Sequence, residues 1–249
     1  MACRTPAHRQ KYLTFPGCSL ILEDIKGGVA MEFQGLFPVW NKLTAAHQQL
    51  LSETTVPRTL GKGAVLHDGS ADCAGLVLIK SGQLRAYILS EDGREITLYR
   101  LLDHDICLFS ASCVMRSVQF EIMISAEKDS EVFILPPYIF KKVMEESAPL
   151  ANYVNELMAT RFSEVMWLIE QIMWKSVDKR LANFLLEEAA LENSDVLRLT
   201  HETIANHLGT AREVVTRMLR YFQNEGYVKL TRGAVEITDR SGMEELIDQ

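Results

Sequence analysis

Along the chain, apolar positions recur first in short runs and only later at helical intervals. From about Phe37 to Ile139 the runs Ala64–Leu66, Leu76–Ile79, Leu84–Leu89 and Ile96–Leu102 alternate with turn signals. Those turns are Gly61-Lys62-Gly63, Asp68-Gly69, Ser81-Gly82 and Asp92-Gly93, where glycine accepts the torsions of a tight reversal. Runs spaced at roughly 10 residues predict a β-sandwich or roll, not a parallel α/β sheet.

The period then changes. Leu150 to Lys175 contains no glycine or proline, and Val154, Met158, Val165, Ile169 and Ile172 follow at steps of four, seven, four and three. Leu157, Phe162, Met166 and Leu168 widen this stripe over much of the circumference. A helix apolar on two faces calls for two partners, so one face is expected on the roll and the other on a second copy of the chain. A core helix in one large domain is the alternative. Helical patterns follow at Asp178–Leu191, Glu202–Leu208 and Arg212–Asn224. Two strand-sized runs, Tyr227–Leu230 and Ala234–Ile237, flank Arg232-Gly233 and read as a wing. The fold class expected is α+β: a β-roll at 31–147, a dimerisation helix at 148–176 and a winged helix-turn-helix at 177–249. Residues 1–30, broken by Pro6, Pro16, Gly17, Gly27 and Gly28, are expected to be a loose leader or untranslated, with Met31 as the start.

The helix-turn-helix reading rests on the stretch from Thr200 to Leu219. Thr200 can cap a helix through its hydroxyl, Ala205 permits close crossing, and Gly209 supplies the conformation that ends one helix and turns the chain. Ile204, Leu208, Val215, Met218 and Leu219 fall in one apolar register, leaving Arg212, Glu213, Thr216 and Arg217 outside it. Arginine donates a bidentate pair to guanine, glutamate accepts from the cytosine amine, and threonine meets a thymine methyl. Arg198, Lys229 and Arg232 are candidate backbone contacts. A merely solvated helix face would explain the charges but not the apolar register and the wing.

Composition narrows the picture. A chain of 249 residues, 47% hydrophobic and 24% charged, suits a two-domain soluble protein, and no apolar run approaches membrane-spanning length. The net charge of -7 argues against non-specific coating of nucleic acid while leaving room for a small basic reading head. Five cysteines, at 3, 18, 73, 107 and 113, show no disulfide framework, which with no secretory signal points to the cytoplasm.

With these motifs the chain resembles the cyclic-AMP receptor protein/FNR family of bacterial regulators, from about Phe37 to Thr238. The segments Leu78-Ile79-Lys80-Ser81-Gly82-Gln83-Leu84-Arg85 and Glu91-Asp92-Gly93-Arg94-Glu95-Ile96 are similar to that family's roll, a cyclic-nucleotide-binding-like jelly roll. The resemblance implies a dimer on an inverted repeat of double-stranded DNA with TGTGA-like half-sites, and RNA polymerase as a further partner. It puts Arg212, Glu213 and Arg217 at the base-reading positions of the receptor-protein group; the FNR group usually lacks the first arginine. Ala211 replaces the usual serine, with Thr210 as the substitute for its phosphate contact or cap.

The family's nucleotide sites do not carry over. A Gly-Glu pair for the ribose is replaced by Cys107-Leu108-Phe109-Ser110-Ala111-Ser112-Cys113, and an Arg-Ser pair for the phosphate by Phe120-Glu121, whose carboxylate would repel phosphate. Arg116-Ser117 lies about four residues too early. An iron–sulfur cluster needs four thiolates, and Cys3 and Cys18 are too far apart. His67 and His104 stand alone, which fits ordinary polar residues better than haem ligands or a cupin-type metal enzyme. No cofactor is expected, and the effector is an unidentified small molecule or a redox signal. Cys107 and Cys113 are the candidate thiol pair, with two buried packing residues as the alternative. A cyclic-nucleotide-responsive regulator remains the competing function.

Overall fold

The computed structural model describes residues 31–68, 74–114 and 121–248. The expected leader, the Met31 start it implies, and Cys3, Cys18 and Cys73 therefore lie wholly or partly outside the described residues. Helix α1 occupies 31–36, and α2 runs Ala45–Thr54. Eight strands follow: β1 Val56–Leu60, β2 Val65–Asp68, β3 Leu76–Ser81, β4 Leu84–Leu89, β5 Glu95–Leu101, β6 Ile106–Cys107, β7 Met123–Ala126 and β8 Ser130–Leu135. They form two four-stranded antiparallel sheets, in the orders β1-β8-β3-β6 and β2-β7-β4-β5.

The unbroken apolar run of β3 has a simple cause: both of its faces are covered. Leu76 and Leu78 point into a cluster with Phe33, Phe37, Phe140 and Val154, while Val77 and Ile79 face the inter-sheet core with Leu84, Leu101 and Ile124. Period-2 geometry divides one strand between two cores. The first cluster seats α3 (Pro137–Glu146) and the start of α4 (Ala148–Trp174) on the roll. Beyond Leu157 and Met158, α4 leaves Phe162, Met166, Ile169, Ile172, Met173 and Trp174 exposed, with Trp174 at 78%.

The remaining elements are α5 Val177–Glu192, β9 Val196–Leu197, α6 His201–Leu208, α7 Arg212–Glu225, β10 Val228–Thr231, β11 Ala234–Ile237 and α8 Arg240–Asp248. Strands β10, β11 and β9 make a three-stranded antiparallel wing sheet. Leu181, Leu185, Ile204, Val215, Leu219, Phe222 and Val235 form one buried core beneath it, closed by Met243 of α8. Roll, long helix and winged helix-turn-helix thus succeed one another in the predicted order. No helix among the described residues is long and apolar enough to cross a membrane.

Candidate nucleic-acid interface

The first helix of the motif is capped as its sequence suggests. Thr200 stands in extended conformation before α6, and its hydroxyl oxygen accepts the Thr203 N–H at 3.0 Å. At the other end Gly209 has φ 65° and donates its N–H to the Ala205 carbonyl. A β-carbon there would lie 2.8 Å from Ile96 Cδ1 of the roll, so a side chain would both strain the turn and strike a neighbour. The chain then enters α7 from Ala211, which supplies no side-chain cap. Thr210, half-buried, donates only its backbone N–H to Ala205 at 3.1 Å among the bonds seen here, and does not replace the missing serine as a cap.

Helix α7 buries Val215, Leu219 and Phe222 and turns Arg212, Glu213, Arg217 and Arg220 outward. These four form no ion pair within the described residues. Arg220 was not anticipated, although its spacing of eight from Arg212 places it on the same stripe. Thr216, in that stripe, is half-buried, and its hydroxyl donates to the Arg212 carbonyl at 2.9 Å. Arg198 and Arg232 are exposed, Arg232 at the wing turn between β10 and β11. Lys229 is also exposed and pairs with Glu236 across the wing at 3.6 Å. The structure therefore brings Arg212, Glu213 and Arg217 to one solvent-facing surface and sets Arg198, Lys229 and Arg232 on the wing sheet and the segment leading from β9 into α6.

A second group of charges, not anticipated from the sequence, joins this domain to the roll. Arg100 of β5 donates Nε–H to Glu127 Oε2 at 2.8 Å and pairs through Nη1 with Glu188 of α5. His207 of α6 is buried beside them. Its Nε2 lies 3.1 Å from Glu127 Oε1 and 3.3 Å from Arg100 Nη2. Arginine cannot accept, so a proton on Nε2 can go only to the carboxylate, and the Thr97 hydroxyl lies 2.8 Å from Nδ1. Phe184 stacks on the imidazole at 5.1 Å between ring centres. Burial works to raise the Glu127 carboxyl, but hydrogen bonds from His207 and Gln83 and the Arg100 charge outweigh it and hold the group at about 2.

In the roll, Cys107 is a free and fully buried thiol, and burial pushes it up, away from the thiolate that exchange requires. The side chain of Cys113 lies outside the described residues, as do Arg116, Ser117 and Phe120; Glu121 is exposed. His67 is buried, and His104 holds a left-handed turn at φ 72°. Among the described residues no three His, Cys, Asp or Glu side chains gather as a metal site. Arg161 of α4 is buried against the roll, donating to both Glu164 oxygens at 3.0 and 2.8 Å and lying 4.6 Å from the Tyr99 ring centre.

Comparison with known proteins agrees with this layout. Residues 179–246 match the family model of the Crp-like helix-turn-helix domain. A solved structure from Eubacterium rectale ATCC 33656, described as a transcriptional regulator of the CRP/FNR family, is 60% identical, covers 86% of this chain and 100% of its own, and superposes with a TM-score of 0.85. The cyclic AMP receptor protein of Thermus thermophilus is 25% identical over 171 residues, 69% of this chain and 78% of that protein. The transcriptional activator protein FnrA of Stutzerimonas stutzeri is 25% identical over 197 residues, 75% of this chain and 78% of that protein.

Proposed function

The chain belongs to the CRP/FNR family of transcription regulators and carries its helix-turn-helix DNA-binding domain, and we propose that it acts as a cytoplasmic homodimer reading an inverted repeat in double-stranded DNA. Residues 31–147 form the sensor, 148–176 the dimerisation helix and 177–249 the reading domain. The observation that carries this is the outer stripe of α7: Arg212, Glu213 and Arg217 stand exposed, without an ion pair among the described residues, opposite a buried core.

In a TGTGA-like half-site, Arg212 meets the first guanine, while Arg217 and Glu213 address the inner G·C pair from its two strands. Thr200, Thr210, Arg198, Lys229 and Arg232 supply contacts to the phosphate backbone. The partner copy covers the second face of α4, since seven large apolar side chains left exposed between Phe162 and Trp174 are unusual on a monomer. Paired in this way, the two reading helices enter successive major grooves about 34–36 Å apart. The roll responds to a small effector or a redox signal, and RNA polymerase is the downstream partner. The relatives this chain resembles are transcription regulators.

Selection from random duplexes tests the reading. A consensus without guanine at the outer position, or one unchanged by Arg212→Ala, removes Arg212 from the reading face. For the dimer, replacing Val165 and Ile169 by Glu puts charges into the apolar seam and is expected to give monomers in sedimentation; an unchanged dimer mass would move the seam elsewhere.

A further inference from the structure

Thr216 differs from its neighbours on the outer stripe because its hydroxyl is already engaged. Oγ1 lies 2.9 Å from the Arg212 carbonyl and 2.9 Å from Nδ1 of His201, the first residue of α6. A hydroxyl has one proton and two lone pairs. The carbonyl can only accept, so the proton goes to Arg212. Given to His201 instead, it would leave two oxygen lone pairs facing each other at 2.9 Å. The ring therefore donates Nδ1–H to Thr216, and this contact selects the tautomer of His201. Burial first, and then the positive charges of Arg212 and Arg220, push His201 below its ordinary range. The bond does not depend on that titration, because Nδ1 carries its proton in this neutral tautomer and in the charged ring alike.

A free threonine hydroxyl rotates and bonds either donors or acceptors on a base edge, which makes it a poor discriminator. Held by His201 and Arg212, the Thr216 hydroxyl has no proton left to give. We infer that His201 is a specificity-positioning residue: with the Thr216 proton given to Arg212, the Nδ1–H of His201 fixes the rotamer of the side chain and takes one of its two lone pairs, so Thr216 cannot donate to a base and presents its methyl group, and the facing base is read as thymine through its C5-methyl. The inference rests on the proposal that α7 is the reading helix.

The test compares thymine with uracil at each half-site position, using the full-length protein and its variants. Replacing one thymine by uracil is expected to weaken wild-type binding about fourfold, the worth of one buried methyl group. Thr216→Val, with a methyl and no hydroxyl, keeps that discrimination, and Thr216→Ser, with a hydroxyl and no methyl, loses it. His201→Ala removes the second tether, lets the Thr216 side chain change rotamer and flattens the preference, whereas His201→Asn, whose amide nitrogen can stand near the position of Nδ1, restores it. If His201→Ala weakens every duplex equally and leaves the thymine–uracil ratio unchanged, His201 only supports the fold and the inference fails. The inference fails equally if Thr216→Ser discriminates as well as the wild type. Arg212→Ala separates this from the underlying reading. When it relaxes a guanine while the Thr216 and His201 variants change nothing, only the positioning role falls. When it too changes no base preference, α7 is not the reading helix.

Discussion

The DNA-binding domain carries charge in two places, and the chain answers only one of them. At the junction with the roll, Glu188 and His207 are buried and meet Arg100 and Glu127. On the outer face of α7, Arg212, Glu213, Arg217 and Arg220 are exposed and have no ionic partner among the described residues. The residue types are nearly the same; the solvent is not. A buried charge costs several kcal/mol unless a partner stands beside it, so the junction has to be matched within the chain. An exposed charge keeps its water and loses little by waiting for another molecule. Matched buried charge thus marks a joint, and unmatched exposed charge in a regular stripe marks a surface meant for a partner.

Removing one member of the buried group should show the largest effect. Arg100→Ala leaves Glu127 and Glu188 without their cation and is expected to cost roughly 3–5 kcal/mol, read as a lower urea midpoint. An unchanged midpoint would mean that the junction holds nothing together. Acid probes the same joint. The Glu127 carboxyl sits at about 2 in the folded protein against 4.5 for the free group. Its folded value is depressed, so its contribution is complete above pH 4.5 and is lost as pH falls toward 2. The melting temperature should drop over that window, and more shallowly in Glu127→Gln; parallel profiles would remove Glu127 from the account.

The exposed stripe should behave in the opposite way. Arg212→Ala is expected to leave stability within about 0.5 kcal/mol while removing about 1–3 kcal/mol of discrimination at one guanine. A large loss of stability would place Arg212 with the buried group after all. The smallest effect is expected at Lys229, whose pairing with Glu236 is exposed and weak. Lys229→Ala should weaken binding to all sequences alike and flatten the salt dependence by about one unit. A changed base preference would make Lys229 a reader instead of a backbone contact.

Much of this architecture was legible from periodicity. The helical pattern at Asp178–Leu191 became Val177–Glu192, and the one at Arg212–Asn224 became Arg212–Glu225. The run Ile96–Leu102 became Glu95–Leu101. Strands β6 and β9 escaped because two residues carry no period. Helix α8 carries a periodic signal too: Met243, Leu246 and Ile247 recur at helical spacing, Met243 inside the winged helix-turn-helix core and the other two packed against it. Of the candidate site, Arg212, Glu213 and Arg217 were found by subtracting the apolar register from α7. His201 and the junction charges were not, because nothing beside them in the sequence sets them apart.

By itself, then, the sequence determined the order of elements, the faces they bury and the outward stripe of α7. These follow from periods of 2 and 3.6 residues, which are local properties of the backbone. Only the tertiary structure decided which polar groups meet. Arg100 and Glu188 are 88 positions apart, Thr97 and His207 are 110 apart, and His201 and Thr216 are brought together by the turn at Gly209. Whether a charge is buried and answered or exposed and free depends on how distant segments close on one another, and no local period records that.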